Sequence, residues 1–159
     1  MSLSQSIAAT RLIHENFSVI MTFAYSQRPL WEMLDSGFQG DWKYLRKALF
    51  DLSEVRANRA LVELAMMIRI VDDDEDLAKS LQRTAGGIAF GELKKPDGST
   101  EPLYARDLSN KIMHATRFEW DFPDNGALSV ICHPLKPTRW VHARIDLRGL
   151  AALCGMLMS

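Results

Sequence analysis

Four residues within and just beyond the segment LYARDLSNKIMHA carry the most suggestive chemistry of this chain. Arg106, Asn110, His114 and Arg117 follow one another at steps of four, four and three residues. At about 100° per residue, those steps gather the four side chains on one side of an α-helix. The apolar residues Ala105, Leu108, Ile112 and Ala115 gather on the nearly opposite side. An imidazole placed there can act as general acid or base near neutral pH, and two guanidinium groups can hold a phosphate. Asn110, one turn before His114, can orient the ring or a bound polar group. His114 and Arg106 are therefore the candidate catalytic residues, with Asn110 and Arg117 as candidate binding residues. A polar stripe opposite an apolar one is equally what an amphipathic surface helix displays, with His114 bonded to a backbone carbonyl.

Other constellations are weaker. The run Asp72, Asp73, Asp74, Glu75, Asp76 offers oxygen ligands to Mg²⁺ or Ca²⁺, but it lacks the ligand spacing, glycine and distal glutamate of an EF-hand loop. It reads as a solvated helix boundary. Cys132 and His133, adjacent on a predicted strand, point to opposite faces and do not share one zinc ion. Cys132 as a nucleophile with His142 as its base requires cross-strand proximity. Arg139, Arg144 and Arg148 with Trp140 suit either a basic aromatic surface for RNA or a half-exposed sheet, in which Trp140, His142 and Arg144 share one face. No metal site is expected. Without a GxSxG elbow, GxGxxG or Walker loop, neither a nucleotide nor any other cofactor is expected.

The segment around Asn110 and His114 resembles the signature helix of the HEPN family. Its motif is an Arg, commonly followed by a polar residue such as Asn, then a few residues and a His. Here Asn110 and His114 match, whereas Ser109 stands at the arginine position; Arg106 is the nearest upstream arginine, with seven residues between it and His114. The resemblance covers about ten residues. It implies a compact helical domain, often dimeric, and in many members a metal-independent ribonuclease of toxin or phage-defence systems. The mismatched arginine implies a non-catalytic, degenerate relative.

These residues need elements to position them. Ile13, Phe17, Ile20, Met21 and Ala24 keep helical spacing within a first helix over residues 5 to 27. Pro29, Gly37 and Gly40 then predict a loop over residues 27 to 41, holding one helical turn at Trp31 to Leu34. Between Asp41 and Ala85 there is neither Gly nor Pro, which predicts long helix capped by Asp41, with a break near Ser53. The acidic run closes it and opens a short helix at Leu77 to Gln82. The stretch IAFGELKK-PDGS-TEPLYA predicts a hairpin or an extended excursion. TRFEWDF, LSVICHP and RWVHARIDL predict three strands, and LRGLAALCGMLMS a closing helix.

The expected fold is therefore α+β: an N-terminal antiparallel helical core, then a small three-stranded antiparallel sheet and a C-terminal helix. One domain is expected over residues 1–159, helical over about 5–115, with the sheet and closing helix over about 116–159. The 159 residues carry 19 Lys+Arg against 20 Asp+Glu, and this net charge of −1 argues against a globally basic nucleic-acid binder. Cys132 and Cys154 read as reduced, packed thiols. No basic region precedes an apolar run, and no stretch approaches ~18 uninterrupted apolar residues, so no membrane partner and a cytoplasmic location are expected. Eight methionines and an apolar C-terminus suit self-association as a homodimer. Three functions remain open: a non-catalytic HEPN-like interaction module contacting RNA or a partner protein, a metal-independent ribonuclease using His114, and a structural subunit of a larger assembly.

Overall fold

The computed structural model describes residues 3–38, 43–74, 79, 82–83 and 87–158. Helix α1 (Leu3–Gly37) runs antiparallel along α3 (Leu52–Asp72), which is reached through a short α2 (Lys43–Arg46) and a π-helical turn (Lys47–Asp51). The hairpin β1 (Gly91–Lys94) and β2 (Thr100–Pro102) follows, then α4 (Ala105–Met113). Strands β3 (Arg117–Asp121), β4 (Ser129–His133) and β5 (His142–Asp146) form a meander, and α5 (Leu147–Met158) closes the chain. The α+β expectation matches this architecture. Asp41, Glu75, Asp76 and most of the helix expected from Leu77 to Gln82 lie outside the described residues.

Among the described residues the sheet has five strands rather than the three expected, in the order β2-β1-β5-β4-β3, with every neighbouring pair antiparallel. The hairpin supplies the other two. Its strand β1 pairs with β5, placing Gly91 opposite Ile145 and Lys94 opposite His142. A hairpin is written in local turn residues, but its docking beside a strand about fifty residues later is a non-local choice. Gly91 makes that pairing possible: a Cβ there would lie 2.1 Å from the carbonyl oxygen of Arg144.

The loop expected over residues 27 to 41 is also corrected, because α1 continues through Pro29 to Gly37. Pro29 withholds one backbone donor from the helix. Packing offsets that loss: Leu34 is buried, and the Trp31 ring stacks on Phe50 with centroids 4.5 Å apart. The guanidinium of Arg46 covers the Trp31 ring. At Ser53 the helix does not break. Its pitch widens over Lys47–Asp51, and the Ser53 hydroxyl donates back to the carbonyls of Leu49 and Phe50.

One hydrophobic core joins both layers. Ile13 and Ile20 of α1, Leu61, Leu64 and Ile68 of α3, Leu108 and Ile112 of α4, and Leu150 and Leu153 of α5 pack against Val130, Cys132, Ala143 and Ile145 of the sheet. Aromatic rings tie β3 to the helices. Trp120 meets Phe23 edge-on at 5.0 Å, and its Nε1 donates to Asn58 Oδ1 at 2.8 Å. Asp146 starts α5 by accepting the backbone N–H groups of Arg148 and Gly149 on Oδ1. With the helices on one face, the residues alternating along β1, β3, β4 and β5 present the other.

Candidate functional site: a polar helix seam and an outer sheet face

Helix α4 is built as its spacing predicts on the apolar side, where Leu108 and Ile112 are fully buried. Ser109, at the motif's arginine position, is fully buried too, and its hydroxyl donates to the carbonyl of Arg106 at 2.9 Å. An arginine at 109 would have to place its guanidinium in the core.

The four candidate residues divide into two groups. Arg106 and Asn110 face the C-terminal turn of α3. Arg106 donates to Asp72 at 2.8 Å, and Arg69 donates to Asn110 Oδ1 at 3.2 Å while lying 3.4 Å from Asp73. This seam of two arginines, two aspartates and one amide fastens α4 to α3. His114 is exposed at the C-cap of α4, its backbone N–H donating to the carbonyl of Asn110. Arg117 is exposed at the start of β3, its guanidinium 3.3 Å from Glu119. Among the described residues, no hydrogen bond or ion pair joins His114 to Arg106 or Arg117.

The outer sheet face carries a second polar array. Arg144 of β5 donates to Asp121 of β3 at 2.6 Å and to Ser129 of β4 at 2.7 Å, spanning all three strands. Toward the other end, His133 Nε2 lies 3.0 Å from Glu119 Oε2, and the His142 ring lies 6.1 Å from that of His133. The hydrogen bond to His133, aided by the one from Arg117, holds the Glu119 carboxyl below its usual range. Partial burial, followed by the nearby His133, Arg144 and Lys94, lowers the pKa of His142. Between Arg144, Glu92, Thr100, Pro102 and Asp146 the surface opens into a cavity of about 810 Å³. Such a face can read polar and charged groups. Among the described residues no group of three His, Cys, Asp or Glu side chains could hold a metal ion.

Cys132 pairs with Ala143 in register and points into the core, whereas His142 points outward, so the two are not a nucleophile and its base. Trp140 is placed differently from its expected strand face. It precedes β5 and is buried, with Lys111 Nζ 5.2 Å from its ring centroid, so it does not join Arg144 in an exposed aromatic surface.

Sequence reasoning missed Arg69 and Asp72 as partners of α4, because nothing local couples residues some forty positions apart. It also passed over the alternation Arg117-Glu119-Asp121, and it put His142 and Arg144 on one face without their partners on the neighbouring strands. That period-two signal was present, but the strand register that turns it into pairs was not. Compared with protein-family models, curated proteins and solved structures, the chain matches none.

Proposed function

We propose that this protein is a non-catalytic interaction module that works as a homodimer and binds a partner protein rather than RNA. The observation that carries this reading is the pairing of four arginines along the seam and the outer sheet face. Arg106 is held by Asp72, Arg69 by Asp73, Arg117 by Glu119 and Arg144 by Asp121. Affinity for RNA comes largely from cations that neutralise phosphates and release their counterions. Here a phosphate would have to displace a carboxylate at each of these four arginines. Paired charges on a half-buried polar face suit instead the rim of a protein interface, where complementarity sets register and partner choice.

The same pairing supports the non-catalytic form of the HEPN resemblance. A metal-independent ribonuclease needs an acid/base histidine and an arginine free to stabilise phosphate charge at one point. Arg106 is instead tied to α3, and Ser109 is buried where the motif has arginine.

Incubation of structured and single-stranded RNA with the protein in EDTA tests this reading. The RNA is expected to remain intact. Cleavage by the wild type that is lost in His114→Ala would replace this function with the ribonuclease.

A further inference from the structure

We infer that the outward face of α3 is where two copies of this chain pair, antiparallel, about a two-fold axis passing between Arg59 and Glu63. The inference rests on the homodimer reading above and gives it a location. Helix α3 buries Ala57, Ala60, Leu61, Leu64, Ala65 and Ile68 on one side. Its opposite side is also apolar. Leu52, Val55, Met66 and Ile70 are 50%, 64%, 48% and 46% exposed. They recur at helical steps over ~27 Å of helix, with half-buried Val62 beside them. A helix that is apolar on both sides is ordinarily covered on both.

The charges within the stripe identify the occupant. At its centre stand Arg59 and Glu63, paired within the chain at 2.8 Å, with apolar residues on either side. The stripe therefore reads the same in both directions: two apolar positions, a charge, the opposite charge, two apolar positions. Turning a second α3 antiparallel about the midpoint of that pair sets Leu52 against the partner's Ile70 and Val55 beside the partner's Met66. Each Arg59 then meets the partner's Glu63, twice per dimer. A two-fold axis requires such a self-complementary patch. A parallel pairing would set Arg59 against the partner's Arg59, which like-charge repulsion disfavours.

Sedimentation velocity of the full chain, wild type and two single variants, tests the pairing. The wild type is expected at twice the 18.0 kDa chain mass. Arg59→Glu places only acids at the centre of the interface, and Glu63→Arg places only bases there. Each alone is expected to weaken the dimer about tenfold or more and to run toward the monomer mass. Mixed in equal amounts, the two variants regain complementary charges and are expected to recombine to twice the chain mass. A wild type that stays monomeric at the highest workable concentration overturns the homodimer reading, and this surface with it. A dimeric wild type whose two variants stay dimeric overturns the surface alone. Monomeric variants that fail to recombine also overturn the pairing of Arg59 with the partner's Glu63.

Discussion

Cys132 and Cys154 are free, and burial pushes both thiols up to about 12. The thiolate is the reactive form, so neither side chain is a nucleophile near neutral pH. In the native protein a thiol-specific chromogenic reagent is expected to label neither cysteine, and in denaturant both. Rapid native labelling of one thiol would contradict the placement of these residues in the core. Gly91 makes the opposite kind of demand, for space rather than dryness. A Cβ at this position would overlap the carbonyl of Arg144, and the neighbour is backbone that cannot swing aside. Gly91→Ala is therefore expected to destabilise the fold by at least about 2 kcal/mol in chemical denaturation, by forcing β1 from β5. A loss below half of that would mean the strands part easily.

At the scale of elements, the outer sheet face couples stability to pH. His142 is held below its ordinary 6.5, so the unfolded chain takes up a proton that the folded chain resists. Its contribution is complete above 6.5 and is lost as pH falls below that value. Glu119, held below 4.5 chiefly by the hydrogen bond to His133, gives a contribution present above 4.5 that is lost on further acidification. The urea midpoint is expected to decline in these two successive windows. His142→Gln is expected to flatten the upper decline and Glu119→Gln the lower; a variant profile parallel to that of the wild type would remove the group concerned from the account. The sheet also marks how far local patterns reach. The β-like runs around RFEWD, SVICH and HARID were sufficient to place three strands, and the apolar run LRGLAALCGMLM the closing helix. Pro29 misled in the other direction, because the burial of Leu34 and the stacking of Trp31 on Phe50 are tertiary effects that outweigh one lost backbone donor.

Over the whole molecule, the near balance of acid and base is repeated locally. Each of Arg69, Arg106, Arg117 and Arg144 has a carboxylate beside it, drawn from another element in the cases of Arg106 and Arg144. The stripe Arg106, Asn110, His114, Arg117 was legible as four positions on one helical side. Its division was not, because the tether of Arg106 and Asn110 to Asp72 and Arg69 depends on how α4 lies along α3. A sequence lists charges, and only the packing of elements decides which of them are already satisfied. Among the described residues, the same packing leaves the apolar stripe of α3 exposed and fastens α4 to its neighbour. The most direct test of this account is a fluorescence-anisotropy titration of labelled RNA with the wild-type protein at low salt, repeated with Arg117→Ala. The account predicts no saturable binding by either protein; saturable binding by the wild type that falls steeply with salt and weakens in Arg117→Ala would contradict it.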